Sequence, residues 1–350
     1  MFKSRWSSNS GIWKPKNPHS LEYLKYLHGV LSKNQTVTES NRSLLVEALR
    51  SISEILIWGD QNDGSVFDFF LEKNMISYFL RIMKQKCGRY VCTQLLQTLN
   101  IMFENIRHTT SLYYLLSNNH INSIITHRFD FSDEEILAYY ISFLKTLSMK
   151  LNANTIHFFF NEHTNDFPLY TEAIKFFNHS ESMVRIAVRT LTLNVYRVED
   201  DAMLRFICDR TAAPYFSNLV WFICNHIVDV DIVAQADKSD PGTIDKLTDL
   251  VAEYLDHIHY VNDIMTLHID SLNRVLVDQL VRKLFLPICL GSLVPNIHID
   301  GIHVSIVVAL FLLSQVFLVI THKPLVNQLG HMLLYGDRNI FLASLNPQNA

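Results

Sequence analysis

The sequence is poor in glycine and proline, the residues that most often build tight turns: 10 glycines and 9 prolines occur in 350 residues. An all-β domain needs many such turns, so this scarcity argues against that class. Charged residues make up 18% of the chain and hydrophobic residues 49%, a balance that is too apolar for intrinsic disorder. We therefore expect a folded, mainly helical chain.

An excess of positive charge is also missing. Thirty Lys and Arg stand against 34 Asp and Glu, which gives a net charge of −4 and an isoelectric point near 6.5. Nucleic acid is therefore not expected as a partner. The five cysteines are odd in number and scattered, so we expect reduced thiols in a cytosolic protein instead of a disulfide framework.

Motifs for catalysis or metal binding are equally scarce. The sequence has no glycine-rich phosphate loop, nucleophile elbow, readable pair of catalytic carboxylates or zinc-ligand spacing. The stretch 60–64 resembles part of a calcium loop, but its glycine is fifth instead of sixth and Leu71 replaces the bidentate glutamate. We therefore predict no cofactor, no metal and no catalytic residue, and favour binding over chemistry.

Hydrophobic residues recur with the period of an α-helix along most of the chain. The clearest helix is predicted over residues 180–198, where Ser180 is a suitable N-cap and Val184, Val188 and Leu191 share one face. Alternating small and branched apolar residues of this kind are typical of armadillo and HEAT repeats. The helix is therefore expected to pack between neighbours.

Two arginines, Arg185 and Arg189, lie on this helix and have two interpretations. They could anchor an acidic partner on a concave surface. They could equally close local ion pairs between stacked helices, which is the interpretation that we favour.

The starts of the long helices predict the architecture. They are 43 to 48 residues apart, near Asn41, Arg89, Ser132 and Ser180. Armadillo and HEAT units repeat at about 40–47 residues. We therefore predict an all-α, armadillo/HEAT-like right-handed α-solenoid as one elongated body over 19–345, with a capping box at 132–135 and a tail or truncated end at 346–350.

Residues 1–18 are expected to form a flexible tail that is basic and aromatic. The alternative is a weak contact with an anionic membrane surface, to which such residues are suited. The residues concerned are Lys3, Arg5, Trp6, Trp13, Lys14 and Lys16.

The run 304–320 is the most apolar part of the chain. It is shorter than the roughly 20 residues of a membrane span and contains Ser305, Ser314 and Gln315. A fully buried solenoid helix is therefore favoured, and single-pass membrane insertion through 302–320 is the alternative.

Several long strings carry a family resemblance. Phe167-Pro168-Leu169 resembles the signature of the FPL domain, and the stretches 55–63, 66–74 and 111–118 also match. Over about 17–200 the chain resembles the N-terminal region of the C-type lectin domain family sixteen member A family, whose insect relative is called endosomal maturation defective. The remainder, 200–345, is expected to continue the helical repeats.

The resemblance implies a protein of the cytosolic face of endosomes and lysosomes, peripheral to the membrane or cytoplasmic. Family members promote endosome, phagosome and autophagosome maturation and are linked to a Rab-type small GTPase, the HOPS tethering complex and a RING ubiquitin ligase in mitophagy. Family proteins are longer, so a fragment or short form is expected. A non-catalytic scaffold is predicted, with nucleotide exchange on a Rab GTPase or adaptor function for the ligase as alternatives. Lectin-type sugar binding is not expected.

Overall fold

The computed structural model describes residues 15, 17–85, 88–236, 240–293 and 302–336. Within these ranges the chain is all-α: it contains no β-strand, and one isolated antiparallel bridge joins Asn161 to Asp166. The predicted fold class is thereby confirmed. The tail candidates Lys3, Arg5, Trp6, Trp13, Lys14 and Lys16 and the end segment 346–350 lie outside the described residues.

The described contacts separate the chain into two compact units, 1–173 and 174–350. The single elongated body predicted for 19–345 stays a prediction. The helices of unit 1 are α1 (Leu21–Lys33), α2 (Arg42–Asn62), α3 (Ser65–Glu72), α4 (Ile76–Met83), α5 (Gly88–Asn105), α6 (Thr109–Leu116), α7 (His120–Ile125), α8 (Glu134–Ser148) and α9 (Pro168–Ala173).

The helices of unit 2 include two segments with π-helical hydrogen bonding, Ile207–Ala212 and Val281–Leu290. Its α-helices are α10 (Ser182–Tyr196), α11 (Asp201–Phe206), α12 (Ala213–Gln235), α13 (Pro241–Met265), α14 (Asp270–Leu280), α15 (Ile306–Val319) and α16 (Lys323–Tyr335). Short 3-10 turns complete the described helical elements. Two lie in unit 1, at Ser117–Asn119 and Ile156–Phe158, and two lie in unit 2, at Ile174–Phe176 and Gly291–Leu293.

The repeat predicted from helix starts is visible in unit 1. Helices α2, α5 and α8 begin at Arg42, Gly88 and Glu134, a constant interval of 46 residues, and α5 packs against both of the others. This side-by-side stacking of equivalent helices is the arrangement of an α-solenoid.

The predicted caps are partly wrong. Helix α10 begins at Ser182 with Glu181 in the N-cap position, so Ser180 does not cap it; the Glu181 N–H donates to His179 Nδ1 at 3.1 Å. At α8 the cap is Asp133, one residue beyond Ser132, and its carboxylate accepts two backbone N–H groups. Asp and Ser are both good caps, so composition alone does not choose between neighbours.

The FPL signature is a core element. Phe167 and Leu169 are fully buried, and Pro168 occupies the first position of α9, where a helix does not need the N–H that proline lacks. The Phe167 ring packs against Phe160 and Tyr170, with centroids 5.8 Å apart in both pairs. These residues stabilise unit 1 and leave no exposed signature surface.

Helix α15 departs from the prediction of a fully buried helix over 304–320. One side, which includes Leu312 and Val316, is buried, but Val307 and Leu318 are each 77% exposed. Within the described part of the chain, the helical segment that is long and apolar enough to cross a membrane is instead Asp201–Gln235, and 56% of its apolar window is buried in the protein.

Candidate functional site

Helices α2, α5 and α8 of unit 1 pack side by side and form a surface that we call the three-helix face. Along α5, Tyr90, Gln94 and Ile101 are spaced by four and seven residues and so share one side of the helix. Glu135, in the first turn of α8, and Met149, which follows its last residue, are fourteen residues apart, about four turns, and therefore lie on one side of that helix. Tyr90 is 47% exposed, Ile101 43% and Met149 67%, so the face presents large apolar side chains to solvent.

Polar contacts link the helices across this face. The Arg50 guanidinium of α2 donates to the Gln94 side chain of α5. One helix further, Arg89 reaches Asp133 at 2.7 Å and Glu135 at 2.9 Å. Polar pairs near the surface contribute little to stability. On this face they place charged side chains beside the exposed apolar ones.

A buried amide fixes the spacing of α5 and α8 beneath the face. Asn100 Nδ2 donates to the Tyr139 carbonyl at 3.3 Å, and its Oδ1 accepts from the Thr146 hydroxyl at 2.9 Å. Because a buried amide is costly unless both ends are paired, the two helices are held in one register. The face is therefore preorganised.

A groove of about 470 Å³ opens at the amino-terminal end of the face. It is lined by Glu39, Arg42, Gly88, Arg89, Tyr90, Thr93, Gln94 and Glu135. Both charge signs are present, and Arg42 pairs with Glu39 at 2.7 Å. Aromatic and arginine side chains, such as Tyr90 and Arg89 here, are enriched where proteins bind one another.

The predicted site residues Arg185 and Arg189 are brought together with α13 in unit 2. Arg185 is 8% exposed and donates to the carbonyls of His179 and Ser180, at 2.7 Å each, and to Glu253 Oε1 at 2.5 Å. This is the interhelical ion pair that the sequence favoured. Contact of either arginine with an acidic partner stays a prediction.

Arg189 takes part in a buried network of rings. It donates to His257 Nδ1 and lies over the Tyr260 ring, 5.4 Å from its centroid. The Tyr260 hydroxyl contacts the hydroxyls of Thr192 at 2.7 Å and Tyr215 at 2.8 Å. Burial, together with the positive charge of Arg189, lowers the pKa of His257 to about 2, so its ring is neutral at pH 7. The network joins α10, α12 and α13, and the His257 ring within it carries no charge near neutral pH.

Asp60 is a buried residue whose role sequence reasoning missed. Its Oδ2 accepts the backbone N–H of Arg107 at 2.9 Å and of His108 at 3.2 Å, at the start of α6. Asp63, the other carboxylate of the calcium-like stretch, accepts from the Ser65 N–H and hydroxyl. Asp63 therefore caps local structure and Asp60 holds a distant turn, and the described residues contain no cluster that could hold a metal ion.

A second groove, of about 710 Å³, lies in unit 2 between α12 and the π-helical segment 281–290. Its lining includes Trp221, which is 58% exposed, Ile302 and Lys283, whose ammonium donates to Ser217 at 2.5 Å. Burial raises the pKa of the Cys224 thiol, which also lines the groove, to about 12. That thiol is therefore protonated and is not a nucleophile near neutral pH.

Comparison with solved structures finds designed armadillo repeat proteins. One, in complex with the peptide (KR)4, is 11% identical with a TM-score of 0.43, over 72% of this chain and 99% of that one. A second designed armadillo repeat protein is 11% identical with a TM-score of 0.42, over 71% of this chain and 99% of its own.

Comparison by sequence is more specific. The FPL family, described as an uncharacterised conserved protein, matches residues 49–196, and the CLEC16A helical domain matches residues 243–349. Human Protein CLEC16A is 66% identical over 92% of this chain and 31% of its own length. The Drosophila melanogaster CLEC16A homolog is 60% identical over 97% of this chain and 34% of its own length.

The chain thus spans about a third of the length of these curated relatives. The resemblance recognised in the sequence strings is confirmed, and it extends beyond the FPL region into unit 2. With both domains matched and two thirds of its residues identical to the human relative where they align, the chain belongs to the CLEC16A family.

Proposed function

We propose that this chain is a non-catalytic scaffold in endosome–lysosome trafficking and in phagosome and autophagosome maturation, and that its three-helix face binds a Rab-type small GTPase. The observation that supports the proposal most is the exposure of Tyr90, Ile101 and Met149 on a rigid face whose neighbours are charged. Membership of the CLEC16A family supports the cellular setting. We place the protein on the cytosolic face of endosomes and lysosomes as a peripheral protein.

The face has the composition of a protein-binding surface. Large apolar side chains at the centre of an interface supply most of its binding free energy once the partner excludes water from them. The charged groups around them, such as Arg89 and Glu135, act mainly on the rate and specificity of association. Since α5 and α8 are already fixed in register by Asn100, little ordering of these two helices is needed on binding.

The test measures binding of the purified chain to a panel of Rab GTPases, each loaded with GDP or GTP. We expect at least one GTPase to bind, and Tyr90→Ala with Ile101→Ala to weaken that binding at least about tenfold, equivalent to 1.4 kcal/mol. Met183→Ala is the matched control, because Met183 is 74% exposed on α10 of unit 2. Absence of binding in either nucleotide state contradicts the proposal, as does equal weakening by the control.

The nucleotide preference separates two modes of action. Preference for the GTP form is expected for an effector scaffold. Preference for the GDP or nucleotide-free form makes nucleotide exchange the activity to measure, by release of a labelled nucleotide. A HOPS subunit and a RING ubiquitin ligase are the partners to test next if no GTPase binds.

A further inference from the structure

Helix α15 presents an apolar surface, interrupted by the exposed Ser314, that no described part of the chain covers. We call it the α15 face; it consists of Ile306, Val307, Leu310, Phe317 and Leu318. These residues recur at helical spacing on the side opposite Leu312 and Val316, which are buried. Their exposed fractions range from 37% for Phe317 to 77% for Val307 and Leu318. A surface of this kind marks an interaction site more often than a random distribution of apolar residues does.

The orientation of α15 is fixed at both ends and in the middle. The Ser305 N–H donates to the buried Asp231 carboxylate at 2.9 Å, and the Tyr254 hydroxyl donates to the Leu312 carbonyl at 3.3 Å. Beyond the helix, the Thr321 N–H donates to Asn262 Oδ1 at 2.9 Å. Because these contacts all hold the buried side of the segment, the helix cannot rotate its exposed side inward without breaking them.

The charges around the α15 face favour a negatively charged partner. Residues 302–336 contain no Asp or Glu, and their one lysine, Lys323, is exposed just beyond the end of α15. The nearby carboxylate of Asp231 is already used by Ser305 and Gln235. At about 100° per residue, Asp256 and Asp263 lie roughly half a turn around α13 from Tyr254, away from α15. A second copy of the chain would bring the same charges, so self-pairing is disfavoured.

The length of α15 decides how it can meet a lipid bilayer. Fourteen residues at about 1.5 Å each give roughly 21 Å, shorter than the hydrocarbon core of about 30 Å. One exposed apolar side and one side packed on protein suit a helix that lies in the plane of the membrane surface. Ile302, four residues before α15, shares its groove with Trp221 and Lys283, which are residue types common at that interface.

We propose that the α15 face binds the surface of an anionic phospholipid membrane, with the helix lying parallel to it. This deepens the peripheral membrane association proposed above by assigning the surface and the lipid class. It is independent of GTPase binding, which we place in unit 1.

The test is co-sedimentation of the purified chain with vesicles of phosphatidylcholine, with or without phosphatidylserine. The wild-type chain is expected to sediment with the phosphatidylserine vesicles. The triple variant Val307→Gln, Leu310→Gln and Leu318→Gln should lower the partition constant at least about tenfold. The reason is that three apolar side chains, which would transfer from water into the lipid, are replaced by polar ones. Lys323→Glu should lower it on anionic vesicles alone.

Ile244→Gln is the matched control, since Ile244 is 52% exposed on α13, and it should bind vesicles like the wild type. Thermal unfolding and GTPase binding of the triple variant should be unchanged, which separates loss of the membrane surface from misfolding and from failure of the proposed scaffold function. Equal vesicle binding by the triple variant overturns the inference. Failure of the wild-type chain to sediment with anionic vesicles also overturns it. So does the finding that the wild type is a dimer and the triple variant is a monomer.

Discussion

Replacing Asp60 tests whether one buried carboxylate connects the amino-terminal half of unit 1 to α6. The Asp60 side chain is fully buried, and it accepts the N–H groups of Arg107 and His108, the two residues that precede α6, which are 47 and 48 positions away in sequence. Its position at the amino end of α6 also places the negative charge where the helix dipole favours it. Loss of the carboxylate should therefore loosen α6 from α2.

The size of the effect follows from these contacts. Hydrogen bonds to a charged group contribute about 1.5–3 kcal/mol each, and removal of an N-cap costs about 0.5–2 kcal/mol. Arg107 and His108 are exposed, so water can replace part of the hydrogen bonding that their N–H groups lose with Asp60. We therefore expect Asp60→Ala to lower the free energy of unfolding by about 2–3 kcal/mol, and Asp60→Asn, which keeps one acceptor oxygen, by about 1 kcal/mol.

The effect should depend on pH. Burial alone would raise the pKa of Asp60, but hydrogen bonds from Ser111 and from the Arg107 and His108 N–H groups outweigh it, and the pKa lies below its usual 3.8. A carboxyl whose pKa is lowered by folding stabilises the protein above its unfolded pKa and loses that contribution as the pH falls through its folded pKa. The difference between wild type and Asp60→Asn should therefore be constant near neutral pH and shrink below about pH 4.

Urea unfolding followed by circular dichroism, at a series of pH values, measures these differences. Glu47→Gln is the matched control, because it removes the same charge from an exposed position of the same helix. The control should lie within about 0.5 kcal/mol of the wild type. An Asp60→Ala protein as stable as the control, or a difference that persists unchanged at acid pH, would refute the role assigned to this carboxylate.

Three further outcomes are expected. Phe167→Ala should lower the free energy of unfolding by about 3–5 kcal/mol in urea titration, because it empties a fully buried ring site. Gly59→Ala should cost about 1–3 kcal/mol in the same assay, since its methyl group would lie 2.8 Å from the Val66 Cβ. Burial raises the pKa of Cys224 and Cys289 to about 12, so both should resist iodoacetamide at pH 8 in the folded chain and react once it is unfolded in urea, as mass spectrometry would report.

The sequence predicted the helical class and the repeat well because both depend on local pattern. Helix starts predicted near Asn41, Arg89 and Ser132 lie within two residues of the observed Arg42, Gly88 and Glu134. A one-face pattern of apolar residues repeated at a fixed interval is enough to specify stacked helices. Individual caps were less predictable, because neighbouring polar residues compete for one role.

The features that the sequence did not predict all depend on long-range packing. The calcium-like stretch 60–64 gives no sign that Asp60 lies in the last turn of α2 and accepts an N–H group almost one repeat away. Helix α15 was expected to be fully buried from its composition, but hydropathy does not report how many sides find neighbours. For Arg185 both interpretations matched the local pattern, and only the position of Glu253 on α13 shows the ion pair.

The central claim, that the three-helix face of unit 1 binds a Rab-type GTPase, is tested most directly by site-specific photo-crosslinking. A photoreactive amino acid is introduced in turn at Tyr90, at Met149 and, as the control, at Met183 of unit 2, and each protein is irradiated with the GTPase that binds in the panel. We predict covalent adducts from Tyr90 and Met149 and none from Met183. Adducts from Met183 alone, or from none of the three positions while the GTPase remains bound, would contradict the claim.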